Sequence, residues 1–336
     1  MTGPVTITGV TGLIGRTLCE VLVRRGIPFR GLARTPERAR TVRAAEAVVV
    51  GSVADPDAVA AACRGSVAVV HLARSTHDLA DLCRYDYPAL HAVLGAANAN
   101  EAELHFTSSQ AVFGDATVRG HPRVFGDASV HRDASDPPLL DDDSAPNPTS
   151  AYGAMKAAWE RTAAAVCGIP PVVYRLPVVI PDRLADGAPW LRELLATGFC
   201  HLEPDGGTVV LRPGDARFAH TGISFAHVRD VAETIASNLF RPEAHGTVAM
   251  LADPTYVRFR ELAELYAGIA RRRGLGVRDA WSEVDDGPAI TGAMFRFDAS
   301  GAGKALGFAS RDGRERLLAK AAQWFAATLD AHQRGD

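Results

Sequence analysis

The segment Thr8-Gly9-Val10-Thr11-Gly12-Leu13-Ile14-Gly15 constrains the fold of this chain more than any other part of it. It lies where a short β-branched run, Pro4 to Thr8, gives way to helical spacing of apolar residues over 13–25, closed by Gly26. Glycines at 9, 12 and 15 permit a tight turn, close approach of backbone to a ligand, and close packing of helix on strand. The helix that follows would offer unpaired N–H groups and the positive end of its dipole to phosphate. A glycine turn alone is a weak signal. Between a strand and a helix, this one predicts a pyrophosphate cradle formed by Gly9, Thr11, Gly12, Leu13, Ile14 and Gly15.

Strand and helix signals then alternate. Phe29 to Ala33 reads as a second strand, 36–45 as a helix, Ala47 to Val50 as a third strand, and 55–63 as a helix opened by Asp55-Pro56. Val67 to Leu72 has the apolar character of a strand buried on both faces. Helix over 86–99, strand over 103–107, helix over 151–166, strand over 172–179, a strand-like Ile223 to Phe225 and helix over 226–239 complete the series. This rhythm predicts an α/β fold with a doubly wound parallel sheet, binding its ligand at the carboxyl ends of the strands. The expected division is a dinucleotide-binding domain, 1–180 plus 222–250, and a smaller C-terminal substrate-binding lobe, 181–221 plus 251–336. The segments 180–221 and 251–330 read as mixed short elements.

Residues 115–150 are rich in Gly, Pro, Ser and Asp and read as loop. Within 112–135, Val112-Phe-Gly-Asp-Ala-Thr-Val118 recurs as Val124-Phe-Gly-Asp-Ala-Ser-Val130. Two such short copies suit a duplication tolerated in a surface loop, or an elongated lid beside the site.

Composition excludes more than it suggests. The 36 basic and 39 acidic residues nearly balance, so no general attraction to nucleic acid is expected. Five cysteines without a CxxC read as reduced thiols of the cytoplasm, and eleven histidines without HExxH give no metal site. Neither a basic leader nor an apolar run long enough to span a membrane is expected.

The end of the second strand chooses between dinucleotides. An acid there would hold the ribose 2′-hydroxyl of NAD, whereas an arginine accommodates the 2′-phosphate of NADP. The chain reads Gly31-Leu32-Ala33-Arg34-Thr35, so NADP(H) is favoured over NAD(H), with Arg34 on the phosphate and Ser52 and Val53 beside the adenine.

Pro148-Thr-Ser-Ala-Tyr152-Gly-Ala-Met-Lys156 carries the chemistry. On a helix, Tyr152 and Lys156 share one face. A phenol with a pKa near ~10 is a poor acid–base catalyst at neutral pH, and a nearby lysine cation would lower that value. An exposed Tyr and Lys at this spacing would by themselves mean little. However, Phe106-Thr107-Ser108-Ser109-Gln110 follows a strand of the sheet, where a hydroxyl can bond a substrate carbonyl that gains charge during hydride transfer.

Taken in order, TGxxGxxG (8–15), His71-Leu72-Ala73, TSSxxVFG (107–114), YxxxK (152–156) and His227-Val-Arg-Asp230 resemble the extended short-chain dehydrogenase/reductase superfamily. The similarity is to its NAD-dependent epimerase/dehydratase branch. Lys304-Ala-Leu-Gly-Phe308 is similar to that family's closing helix region. The resemblance implies a Rossmann fold with Tyr152 as general acid/base, Lys156 as its partner and Ser109 as the carbonyl-positioning hydroxyl, with Ser108 and Thr107 in reserve. It also implies that Leu72, Ala73, Thr107, Tyr152, Lys156 and Pro177 touch the cofactor. A homodimer built from helices 86–99 and 151–166, with Trp159 as a buried anchor, follows from the same source.

Three departures narrow the function. Gln110-Ala111 stands where sugar-nucleotide dehydratases carry Asp-Glu. Asp86-Tyr87-Pro88-Ala89-Leu90 replaces the usual Asn-x-x-Gly-Thr. No arginine precedes His227 to hold a diphosphate, leaving Arg212 and Arg217 as candidates. The expectation is an NADPH-dependent ketoreductase acting on a small metabolite of secondary metabolism. The alternatives are a nucleotide-sugar epimerase or 4-ketoreductase and a non-enzymatic NADP sensor, the last opposed by the intact Ser109, Tyr152 and Lys156.

Overall fold

The computed structural model describes residues 3–75, 78–114, 139–183, 186–187, 191, 195, 200–203, 206–212, 222–281, 295–311 and 313–334. Seven parallel strands form the central sheet: β1 Val5–Thr8, β2 Phe29–Ala33, β3 Ala47–Val50, β4 Ala68–His71, β5 Glu103–Ser109, β6 Val172–Leu176 and β7 Val248–Met250. Their spatial order is β7-β6-β5-β4-β1-β2-β3, so the chain turns from one half of the sheet to the other between β1 and β4. This is the doubly wound Rossmann sheet, with its crevice at that switch point. The main core forms on one face from Val5, Ile7, Leu18, Leu22, Val70 and Tyr174, closed by Val231 and Ile235. On the other face Val69, Leu90, Val93, Phe106 and Trp159 pack together.

Helix α1, Leu13–Arg24, starts at Gly12, with no side-chain cap on its first turn. Asp55 caps the helix Pro56–Cys63 as expected, its carboxylate accepting from the N–H groups of Asp57 and Ala58. Several boundaries differ from the sequence expectation. The helix expected over 36–45 is only Pro36–Ala39, and the chain then passes through a left-handed residue at Ala44 (φ 63°) before β3. The helix expected at 86 is reached earlier, through Leu79–Asp81 and a π-helical turn, Leu82–Asp86, that runs into Tyr87–Ala99. The strand expected over 172–179 breaks at Pro177, which has no N–H to continue a ladder; Val178–Ile180 pairs instead with Phe225–His227.

The C-terminal segment is not a set of short elements. Phe259–Arg272 and Gly313–Arg334 are long helices that pack together through Tyr266 and Phe325, whose rings stack 4.3 Å apart. They build a second core with Ile180, Leu191, Phe225 and Val257. Ser300–Leu306 behaves differently, since Ala302, Leu306 and Phe308 join the main core rather than the lobe. The second copy of the loop repeat lies outside the described residues, as does most of the connection around it. Among the described residues, no helix is long and apolar enough to cross a membrane.

Candidate active site

A cavity of about 870 Å³ opens at the carboxyl ends of the strands. Gly9, Thr11, Gly12, Leu13, Ile14 and Gly15 line it at the start of α1, and Leu72 and Ala73 follow β4. Arg34, Ser52 and Val53 lie on the β2–β3 side, while Thr107, Ser109, Tyr152, Lys156 and Pro177 lie on the β5–β6 side. The fold therefore brings together the residues assigned from sequence to the cofactor and to the Ser109, Tyr152 and Lys156 set.

The glycine turn fits a pyrophosphate. Gly9 has φ +71°, and a Cβ on it would stand 2.6 Å from the Ala73 nitrogen; one on Gly15 would stand 2.3 Å from the Gly9 carbonyl oxygen. With no cap and no acidic side chain in its first turn, α1 directs its N–H groups and dipole at the cavity. Arg34 and Arg38 both line the β2–β3 side, and among the described residues neither guanidinium has an ion-pair partner. The described acids that line the cavity, Asp86 and Asp186, belong to other parts of its wall. When bound, a nicotinamide dinucleotide supplies the hydride.

Ser109 is the last residue of β5, two residues further along the strand than expected. Pairing with β6 carries the strand on, with Ser108 opposite Arg175 and Ser109 opposite Leu176. The Ser109 hydroxyl accepts from the Ala111 N–H at 3.2 Å, and its influence opposes the rise of the Tyr152 phenol. Of its two reserves, the Ser108 hydroxyl is committed elsewhere. Ser108 donates to Glu160 at 2.5 Å, Glu160 receives a two-pronged contact from Arg175, and the Thr107 carbonyl accepts from Lys156.

Helix Ala151–Val166 is capped by the Ser150 hydroxyl, which accepts from the Gly153 N–H. Lys156 is 2% exposed; its Nζ donates to the Thr107 carbonyl oxygen at 2.9 Å and lies 5.9 Å from the Tyr152 ring centre. Burial lowers the Lys156 amine to about 8, Asp86 opposes that fall and Arg74 adds to it. The Tyr152 phenol differs from expectation. Burial raises it above its ordinary value, against the opposing influence of Arg74 and Ser109. The ammonium is directed at a carbonyl rather than at the phenolic oxygen, so desolvation outweighs it. Tyr152 is thus built to hold its proton at neutral pH, which suits a group that donates a proton to a carbonyl.

Trp159 is not an anchor for a second subunit. It is 2% exposed within its own chain, stacked on His71 at 4.8 Å and tilted against Phe106. His71 shares a 2.7 Å hydrogen bond with Thr8, and burial pushes its imidazole down to about 3. The His227-to-Asp230 motif is structural here. His227 bonds the Gly313 carbonyl, Arg229 bridges Glu20 and Asp182, and Asp230 pairs with Arg316. Arg212 is exposed and does not line the cavity, and Arg217 lies outside the described residues.

Sequence reasoning passed over Arg38, Arg74, Ser75, Tyr85 and Asp86, which also line the cavity. Asp86 carried a signal, as the acid in place of the usual Asn; Arg38 was visible four residues after Arg34.

The sheet order, the glycine cradle and the Ser109–Tyr152–Lys156 wall define an NAD(P)-dependent enzyme of the oxidoreductase and epimerase class. More closely, the chain belongs to the NAD dependent epimerase/dehydratase family, whose profile matches residues 5–248. Its fold is shared by a short-chain dehydrogenase/reductase superfamily protein from Agrobacterium tumefaciens with bound NAD, at 22% identity and TM-score 0.70, covering 98% of this chain and 99% of that one. WbmG from Bordetella bronchiseptica, in complex with NAD, is similar at 18% identity and TM-score 0.68, with 97% and 95% coverage. UDP-N-acetylglucosamine 4-epimerase from Bacillus cereus is similar at 14% identity and TM-score 0.63, with 97% and 99% coverage. No curated protein matches the chain.

Proposed function

We propose that this enzyme is an NADPH-dependent ketoreductase that reduces a carbonyl of a small metabolite, with a place in secondary metabolism. The observation that carries the reading is the pair Arg34 and Arg38, lining the β2–β3 side of the cavity where no described acid lies. A 2′-phosphate there would gain charge-assisted bonds, whereas a 2′-hydroxyl would lack the acid that usually holds it. In this reading Ser109 and Tyr152 bond the substrate carbonyl, Tyr152 supplies the proton, and Lys156 holds the nicotinamide ribose. Thr107, Leu72, Ala73 and Pro177 form the wall against the nicotinamide half. Gln110-Ala111 in place of an Asp-Glu pair leaves no acid–base pair for sugar dehydration.

A second reading, a nucleotide-sugar epimerase or 4-ketoreductase using NAD(P), is supported by the family and by solved structures of the same fold. MoeE5, at 20% identity, is described in complex with UDP-glucose and NAD. Mass spectrometry of the nucleotide that co-purifies separates the two. Retained NAD favours the epimerase, which regenerates its cofactor in each turnover. NADP or an empty site, with NADPH consumed on a panel of small ketones, favours the reductase.

Assembly as a homodimer through helices 87–99 and 151–166 belongs to the same proposal, as does residence in the reducing cytoplasm, in keeping with the free cysteines. Sedimentation showing a monomer at micromolar concentration would end the dimer.

A further inference from the structure

Thr107 and Ser108 precede Ser109 on β5, and the helix Ala151–Val166 holds both of them. Lys156 Nζ donates to the Thr107 carbonyl oxygen at 2.9 Å. One helical turn later, Glu160 Oε1 accepts from the Ser108 hydroxyl at 2.5 Å. The same carboxylate takes Arg175 of β6 in a fork, Nε on Oε1 at 3.1 Å and Nη2 on Oε2 at 2.8 Å. Ser108 and Arg175 stand opposite each other in the sheet, and the next pair along, Ser109 and Leu176, lines the cavity. The guanidinium carbon also lies 4.9 Å from the centre of the Phe113 ring, in the turn Gln110–Phe113 that follows Ser109. Ser108, Glu160 and Arg175 are all buried.

We infer that Ser108 and Glu160 are positioning residues, which fix the helix carrying Tyr152 and Lys156 in register with the strand that ends in Ser109. Neutralising the Glu160 carboxylate does not require the hydroxyl, because Arg175 already meets both of its oxygens with a full charge. Arg175 belongs to β6, so its fork ties the helix to β6. The Ser108 hydroxyl adds the tie to β5, the strand on which Ser109 rides, through a hydrogen bond to a charged acceptor in the interior. Without it the helix would be held to β5 at this level by Lys156 through Thr107. Any shift between helix and strand would then be taken up by the reacting lysine, where a displacement of about an ångström is costly in rate.

The inference rests on Ser109, Tyr152 and Lys156 being the reactive set, which the reductase and epimerase readings share. Its main test needs neither substrate nor nucleotide, so failure of the NADPH reading would leave it standing. The chain has three lysines, Lys156, Lys304 and Lys320, so ¹³C-lysine labelling of the full chain gives a simple spectrum, assigned with Lys304→Arg and Lys320→Arg. Relaxation of the Lys156 Cε signal should report a fixed side chain in the wild type. Ser108→Ala removes the tie to β5 and strands no charge. There the Lys156 order parameter should fall from about 0.85, typical of a rigid site, toward about 0.6, and Ser108→Thr, which keeps a hydroxyl, should restore it. On any ketone that the wild type reduces, kcat in Ser108→Ala should fall about tenfold or more at unchanged KM. Should Ser108→Ala fail to fold, Glu160→Leu combined with Arg175→Met decides, since it leaves no buried charge and should recover stability while Lys156 stays loosened. A purely structural clamp would lower the melting temperature and leave Lys156 fixed. An unchanged Lys156 order parameter or an unchanged kcat in the folded variant overturns the inference, and so does a loosened Lys156 that Ser108→Thr fails to restore.

Discussion

Gly153 and Ala111 meet with no room for a Cβ between them: one built on Gly153 would stand 2.1 Å from the Ala111 carbonyl oxygen. This contact lets the helix carrying Tyr152 close onto the turn that follows Ser109. Gly153→Ala should therefore impair both stability and chemistry. Alanine favours the helix by about 1 kcal/mol, while displacing a reacting group by an ångström costs on the order of 10²-fold in rate. The expected result is a lowered melting temperature, because the overpacking costs about 1–3 kcal/mol and outweighs the helix gain, together with a large fall in kcat. Retained kcat would show that the contact is not needed.

Tyr152→Phe should leave nucleotide affinity nearly intact and lower turnover by at least ~10²-fold. The raised phenol adds a pH signature. Carbonyl reduction uses the protonated form and should stay flat through neutral pH, whereas alcohol oxidation uses the phenolate and should rise steadily with pH. Measuring both directions from about pH 6 to about pH 10 checks this, and matching profiles would remove Tyr152 from the proton transfer.

Arg34→Ala should weaken NADPH by tenfold or more, with little effect on NADH, because a charge-assisted bond contributes about 1.5–3 kcal/mol. Arg38→Ala should act in the same direction. Dissociation constants for both nucleotides decide the matter. Equal affinities in the wild type would defeat the NADP reading.

Beneath the site, Glu160 and Arg175 form a buried pair at 2.8 Å, 7% and 6% exposed. Glu160→Ala strands the guanidinium in the interior and should cost about 3–5 kcal/mol in a urea titration. Combining Glu160→Leu with Arg175→Met should recover most of that loss, since no charge is then left buried. A mild effect of the single change would mean that water reaches the pair.

Acid should destabilise the fold through two histidines. Burial pushes His71 down to about 3 and His227 down to about 4, while in the unfolded chain both titrate near ~6.5. The unfolded state therefore takes up protons first as the pH falls. This contribution to stability is complete above the unfolded value and is lost progressively as the pH drops through the window toward 4 and then 3. Urea midpoints between about pH 7.5 and about pH 5 should decline in the wild type and decline less in His71→Asn. A wild-type midpoint independent of pH over that range would contradict the assignment.

The glycine cradle, the strands Phe29–Ala33 and Ala47–Val50, the helix Ala151–Val166 and the Ser109, Tyr152 and Lys156 set were all legible in the linear chain. Each is written within a few residues, as turn chemistry, as a two-fold or helical period, or as a short spacing on one helix. The helical spacing of Phe259, Leu262, Ala263, Tyr266 and Ala270 was equally plain and went unused, which is why the lobe was expected to hold only short elements. Only the tertiary structure decided which groups from distant segments would meet. It set Gly153 against Ala111, Ser75 beneath Asp86, Arg175 on Glu160 and Trp159 against His71. The titration of Tyr152 was decided there too, because desolvation depends on everything that surrounds a group and spacing along a helix records only its nearest neighbours.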